Sequence, residues 1–231
     1  MNWLTLPRKP ESEVMDESDG VEAYASATAQ AHLDALDDAF VERVLSLGIK
    51  DGFALDVGTG PGQIPLKIAH CCPKLHLVGI DRSAAMLRAA RERVLKRGLG
   101  GQVEFMLANA SQLCFPASSF DLVISNSVLH HLNDPVQVFN EMARVAKAGG
   151  KILVRDLRRP ARPVFAAHVA WHGRHYAGRM KALYEDSVCA AYTPAELRGL
   201  LQTSQLGPTT IFLERRTHLG FYRGNTAGGT K

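Results

Sequence analysis

Apolar residues recur at threes and fours from about Val21 to Leu47. Leu33, Leu36, Phe40, Val44 and Leu47 fall on one stripe and Gly48 stops the run, a pattern that predicts a helix. The pattern then changes to short apolar runs separated by amphipathic stretches. Ala54–Val57, Leu75–Ile80, Val103–Leu107, Asp121–Ser125 and Lys151–Asp156 read as buried strands. Gln63–His70, Ala84–Arg97 and Pro135–Ala146 read as the helices between them, the second closed by Gly98 and the third by Gly149 and Gly150. This alternation predicts an α/β fold around a largely parallel sheet.

The tail breaks the alternation. Residues 160–190 read as mainly helical, and Thr193-Pro194 opens a further helix reaching about Gln202. The stretch TIFLERRTHLGFYRG then reads as two strands joined by a polar turn near Arg215–Thr217, an antiparallel hairpin. Residues 1–231 are expected to form a single domain. Residues 1–48 would be an arm and cap helix, residues 160–190 a helical lid inserted before the last strands, and residues 225–231 a loose tail.

Composition changes this picture little. The hydrophobic fraction of 46% and charged fraction of 22% are ordinary for a globular domain. No apolar run has the length of a membrane span, and MNWLTLPRKPESE lacks the basic lead and apolar core of a secretory signal. Cys71, Cys72, Cys114 and Cys189 form no Cys-x-x-Cys pair, so neither a disulfide framework nor a zinc motif is expected. Reduced thiols and a cytoplasmic location are the expectation. The net charge of +4 conceals an asymmetry: residues 1–51 carry eleven acids and four bases, and the remainder carries the excess of bases. A basic remainder suits an anionic ligand or nucleic acid, although charge spread this evenly more often solvates a surface.

Candidate chemistry begins where the first strand ends, at Gly58-Thr59-Gly60-Pro61-Gly62. Missing Cβ atoms let the backbone turn sharply and approach a ligand at the carboxyl end of a parallel sheet. A dinucleotide fingerprint would require a third glycine where Gln63 stands. A tight strand-to-helix turn with no ligand fits the same spacing. Three further segments accompany the loop, however. Asp81 ends the second strand in VGIDRSAAM, FMLANASQL follows the third, and FDLVISNSVLHHLNDP surrounds the fourth. A carboxylate at Asp81 suits both hydroxyls of a ribose; Ser83 is the better-placed cap for the helix from Ala84.

In this order the four segments resemble class I S-adenosylmethionine-dependent methyltransferases, from about Val44 to Asp156. The Leu-His-His-Leu end of the fourth motif is similar to a broad bacterial small-molecule group of type 11/25, and VMDESDGVEAYA, DLRRP and AAYTPAEL resemble one subgroup of it. The resemblance implies a Rossmann-like, doubly wound, seven-stranded sheet with an antiparallel C-terminal strand, and S-adenosylmethionine as cofactor. It implies that Asp56, Gly58, Thr59 and Gly60 surround the methionine part, that Asp81 takes the ribose, and that Arg82 and Met86 lie along the adenine. Asn109 and Ala110 would read the adenine edge, Asn109 standing where the family usually has aspartate. Ser125 and Asn126 would lie nearest the sulfonium methyl.

The acceptor side is less marked, because an activated methyl needs orientation more than a catalytic triad. His130 and His131 follow the fourth strand on the expected rim; either suits the acceptor, with His131 the one candidate base, and packing or a carbonyl contact is the alternative. Arg158 and Arg159, in VRDLRRPAR, are expected to grip an anionic group of the acceptor, or else to pair on the surface with Asp156. Tyr24 is expected in the cover over the cofactor. His168, His172 and His175 share one helical face but lack an acidic or cysteine companion nearby, so no metal is expected there. The expected function is methyl transfer to a small-molecule acceptor. A nucleic-acid or protein methyltransferase and a non-catalytic cofactor-binding protein are the alternatives. SNSV at the fourth motif differs from the pattern of base-amino methylating enzymes, which argues against nucleic acid as substrate.

Overall fold

The computed structural model describes residues 3–11 and 27–224, so Tyr24 lies outside the described residues. In chain order the regular elements are α1 (Ala27–Ser46), β1 (Asp51–Val57), α2 (Gln63–Cys71), β2 (Lys74–Asp81), α3 (Ala84–Lys96), β3 (Val103–Leu107), β4 (Phe120–Asn126), α4 (Pro135–Val145), β5 (Ala146–Leu157), α5 (Phe165–His172), α6 (Gly178–Ala190), α7 (Pro194–Thr203), β6 (Thr210–Glu214) and β7 (His218–Arg223). The seven strands make one sheet in the order β3-β2-β1-β4-β5-β7-β6. β1 to β5 run parallel, and the β6–β7 hairpin closes one edge antiparallel. This is the Rossmann-like sheet that the alternation and the resemblance led us to expect.

Two cores follow from the strand alternation. Leu55, Val57, Val123 and Val154 pack with Phe139 and Met142 of α4 and Leu197 of α7. Ala54, Leu122, Ile124 and Leu153, on the opposite face, pack with Phe40 and Val44 of α1, Leu66 and Ile68 of α2, and Val94 of α3. Each fully buried Leu or Phe contributes roughly 1.5–3 kcal/mol, which makes these faces the main source of stability. The same period of two sends Asp56, Asn126 and Arg155 toward α1, while Ser125 and Asp156 go to the α4 side.

One boundary differs from the sequence reading. β5 starts at Ala146, ahead of the expected Lys151, and runs through Gly149-Gly150 with a register irregularity opposite Phe120 and Leu122. A Cβ on Gly150 would lie 3.0 Å from the Lys147 backbone and from the Phe120 carbonyl, so the glycines serve a bulged strand rather than the end of α4, which stops at Val145. The hairpin turns at Arg215–Thr217 as expected, with Arg215 and Arg216 at φ values of 47° and 64°, the left-handed geometry of a tight turn matched to strand twist.

Strand order reverses between β1 and β4, and in open α/β sheets ligands bind at the carboxyl ends beside such a reversal. No helix among the described residues is long and apolar enough to cross a membrane.

Candidate active site

The glycine loop joins β1 to α2 and is pinned to the end of β2. The Gly58 and Thr59 N–H groups donate to the Ile80 carbonyl at 2.8 and 2.9 Å, and the Gly60 N–H donates to Asp81 Oδ2 at 2.8 Å. Gly58 has φ 74°, and a Cβ there would stand 2.3 Å from Val128 Cγ2, so only glycine fits. Gly60 has φ 52° and nothing within 4 Å of its missing Cβ; it leaves its stretch of backbone open to the cleft.

Asp81 does more than face this cleft. Its second oxygen accepts from the Ser83 N–H at 2.8 Å, so one carboxylate holds both the glycine loop and the entry to α3. Ser83 itself caps α3, accepting from the Met86 N–H at 3.3 Å. Asn109 Oδ1 accepts from the Ser111 N–H at 3.0 Å, which fixes the amide at the cavity edge with its NH2 pair still available.

One cavity of about 520 Å³ connects these groups, within the size range of small-molecule sites. Gly58, Thr59 and Gly60 line it from β1, Asp81, Arg82 and Met86 from β2 and α3, Asn109 and Ala110 from β3, and Asn126 and His131 from β4 and the turn after it. A larger open hollow of about 690 Å³ lies at the amino-terminal end of β5, against Lys147 and Gly149. It is remote from the glycine loop and from the carboxyl ends where such folds bind ligands.

Four expected site residues sit elsewhere than expected. Ser125 is buried and donates its hydroxyl to the Val57 carbonyl at 2.8 Å; alternation turns it to the α4 side, away from the cavity. His130 is buried too, its Nδ1 2.6 Å from Asp156 Oδ1, so it belongs to the interior and not to the acceptor wall. Burial pulls its pKa down, but the Asp156 carboxylate overrides this and raises it above the usual imidazole value. Arg159 is buried and donates to the Ala191 carbonyl and the Glu196 carboxylate. Arg158 bridges to Tyr192 through its backbone and does not line the cavity. The chain leaving β5 therefore turns into the α6–α7 junction, and neither arginine lines this cavity. Among the described residues, none of 160–190 lines the cavity either; Tyr176 and Met180 pack on Leu33 of α1.

Asp56 lies beneath the loop rather than on the cavity wall. Its Oδ2 is buried without a hydrogen-bond partner, as is Thr59 Oγ1. Burial, against some relief from Thr59 and with help from Asp81 and Asp37, raises its pKa to about 7. Asp37 of α1 lines the cavity, a residue the sequence reading passed over. Burial raises its pKa to about 6 although Lys67 and Arg155 pull the other way. The signal for it was present: Asp37 falls on the Leu33/Phe40/Val44 stripe, an acid where the helix otherwise buries apolar groups.

Arg155 sets this side of the site. Buried at 1% exposure, it donates to Asn126 Oδ1 at 2.8 Å, Glu214 Oε1 at 2.9 Å and the Leu36 carbonyl at 2.9 Å. It thereby fixes Asn126 and the turn of α1 that carries Asp37.

The sequence profile of a family described as a methyltransferase domain matches residues 55–154. The ubiquinone/menaquinone biosynthesis C-methyltransferase UbiE of Hahella chejuensis is 35% identical over 119 residues, 51% of this chain and 48% of that protein. The demethylmenaquinone methyltransferase of Roseiflexus castenholzii is 30% identical over 148 residues, 64% of this chain and 60% of that protein. The chain thus spans about half to three-fifths of the length of these curated relatives. A SAM-dependent methyltransferase from Aquifex aeolicus, 20% identical, superposes with a TM-score of 0.60 over 90% of this chain and 93% of that one, a likeness of fold. Residues 55–154 therefore match a methyltransferase domain, and the sheet around them has the fold of solved S-adenosylmethionine-dependent methyltransferases.

Proposed function

We propose that this protein transfers a methyl group from S-adenosylmethionine to a small, largely apolar acceptor bound beside Asn126 and His131. The observation that carries the reading is the single cavity joining the glycine loop, Asp81, Met86, Asn109 and Asn126 at the reversal of strand order. The residues fit the cofactor: the open backbone at Gly60 suits close approach of its methionine part, and the buried Asp56 carboxylate beneath the loop, its Oδ2 without a hydrogen-bond partner, suits its cationic amino group. Asp81 would accept from the ribose hydroxyls with its remaining lone pairs, and Met86 and Ala110 would flank the adenine. When bound, the cofactor supplies an electrophilic methyl on a sulfonium, open to in-line displacement.

The protein's part is then to hold, orient and dry. Asp37 and Asp56 put negative charge on the α1 side of the cleft, which favours a cationic ligand there. Leu33, Val128 and Leu132 line the cavity next to His131 and give that end an apolar character. His131 is the polar group placed to orient an acceptor hydroxyl or take its proton. Helix α6, whose Met180 packs with Leu33 of α1, would form part of the cover that keeps water out.

The relatives named for quinone biosynthesis favour a hydroquinone-like aromatic acceptor, neutral and apolar as this wall requires. The test is transfer of labelled methyl from S-adenosylmethionine to a panel of hydroquinones, nucleic acids and proteins. We expect label in a small aromatic acceptor, with His131→Ala raising KM or lowering kcat. Label in nucleic acid or protein alone would contradict the reading.

A further inference from the structure

A cluster next to the cavity shares only His131 with the reading above. The described N-terminal segment, residues 3–11, lies across the α6–α7 junction. The Lys9 N–H donates to the Cys189 carbonyl at 3.1 Å, and Arg8 donates to the carbonyls of Ala190 and His130 at 2.6 and 2.8 Å. This strap delivers Glu11 to the turn after β4. Glu11 Oε2 stands 3.9 Å from His130 Nε2 and 3.7 Å from His131 Nδ1, and the three donor atoms all lie within 4.8 Å of one another.

We propose that Glu11, His130 and His131 bind one divalent transition-metal ion, zinc being the best match to a carboxylate and two imidazoles. Donors on a tetrahedral zinc at about 2.1 Å stand about 3.4 Å apart, so each Glu11–ring distance must close by roughly half an ångström or less, and the two imidazole donors, within 4.8 Å of each other, must draw together as well. The supporting groups are already in place. Asp156 Oδ1, buried and 2.6 Å from His130 Nδ1, holds the proton on that nitrogen and leaves the Nε2 lone pair facing Glu11. Carboxylates in this position orient and strengthen histidine ligands in metal sites. The Ser187 hydroxyl, 3.1 Å from Glu11 Oε2, orients the carboxylate in turn. Two carboxylates, Glu11 and Asp156, offset the charge of the ion, while Arg8 directs its guanidinium to backbone carbonyls. Among the described residues no other three such donors gather this closely. His168 and His172, with ring centroids 4.6 Å apart, have no third donor in reach.

The ion would clip the N-terminal strap to the segment that lines the cavity through His131. Three protein donors leave one tetrahedral position for water or for an acceptor oxygen. The site holds whether or not the chain transfers methyl groups, and its test is independent of that activity. The full-length protein, stripped with chelator, is titrated with zinc by calorimetry and with cobalt by its visible spectrum. We expect one ion per chain and the intense absorption of tetrahedral cobalt. Glu11→Gln and His131→Asn each leave the buried His130–Asp156 pair intact and should weaken binding at least about tenfold. A variant changed at His172 and His175 should bind as the parent does. Unchanged metal-free melting of both site variants separates a lost ligand from a lost fold. Absence of stoichiometric binding by the parent protein would overturn the proposal. So would binding that survives both site substitutions, or that is lost with His172 and His175 instead.

Discussion

Asp37 and Asp56 are carboxylates that burial keeps easily protonated, with pKa values near 6 and 7, beside a cavity that the cofactor's two cationic groups suit. A cation bound near them favours their ionised forms, so binding should require that their protons leave. Affinity for S-adenosylmethionine should accordingly fall as pH drops from about 8 to about 5, by up to about tenfold per unit for each group below its pKa. Asp37→Asn should remove the part of this dependence centred near pH 6. Calorimetry across that range checks it, and an affinity flat from pH 8 to 5 would contradict the assignment. Single residues were also where the sequence was hardest to read. Asp37 was legible as an acid on an apolar stripe. His130 and His131 were indistinguishable, since adjacent positions after a strand do not reveal that one meets Asp156, 26 residues on, while the other lines the cavity.

The elements were largely legible because each strand and helix announces itself by local period, and β1 to β5 and α2 to α4 stand close to where the pattern put them. What the pattern could not carry was the path between elements. Arg159 looked like an acceptor grip because it follows β5, but the chain turns inward and pairs it with Glu196 at the capped start of α7. The strap bearing Arg8 and Glu11 has no period at all; its place depends on the His130 carbonyl in the turn after β4 and on carbonyls at the end of α6, far along the chain. Arg155 shows how much one such contact organises, joining α1, β4 and β6 from inside the sheet. Arg155→Ala leaves the buried ends of those elements without their donor and should cost about 3–5 kcal/mol of stability, as breaking a buried ion pair does. Cofactor affinity should fall with it, because Asn126 and Asp37 lose their support. Urea unfolding and calorimetry on the same variant test both; a loss below about 1 kcal/mol would place the network in the surface class.

Across the whole molecule, buried titrating groups pull stability in opposite directions. His218 is buried, and desolvation together with Arg155 lowers its pKa from 6.5 to about 4. The unfolded chain takes that proton first, so this group removes stability as pH falls from about 6.5 to about 4. Asp56 and Asp37 have raised values, the folded chain takes their protons first, and they remove stability as pH rises from about 4 to about 7 and about 6 respectively. His168, its pKa likewise lowered to about 4 by burial, adds to the His218 trend, so two histidines oppose two carboxylates and the melting temperature should change little between about pH 4.5 and about pH 6. In Asp56→Asn one of the opposing groups is gone, so stability should climb with pH over that window and exceed the parent's at pH 8 by roughly 1–3 kcal/mol. Thermal melts of both proteins at matched pH decide it, and a variant less stable than the parent at pH 8 would show Asp56 to be paired. The central claim, that the cavity at the carboxyl ends of β1, β2 and β4 holds S-adenosylmethionine, is tested most directly by calorimetry of that cofactor and of S-adenosylhomocysteine against the parent protein and Asp81→Ala. The account predicts micromolar binding of both, about −8 kcal/mol, weakened by roughly 2–3 kcal/mol in the variant. Binding of a nicotinamide dinucleotide in place of either, or an affinity that Asp81→Ala leaves unchanged, would contradict it.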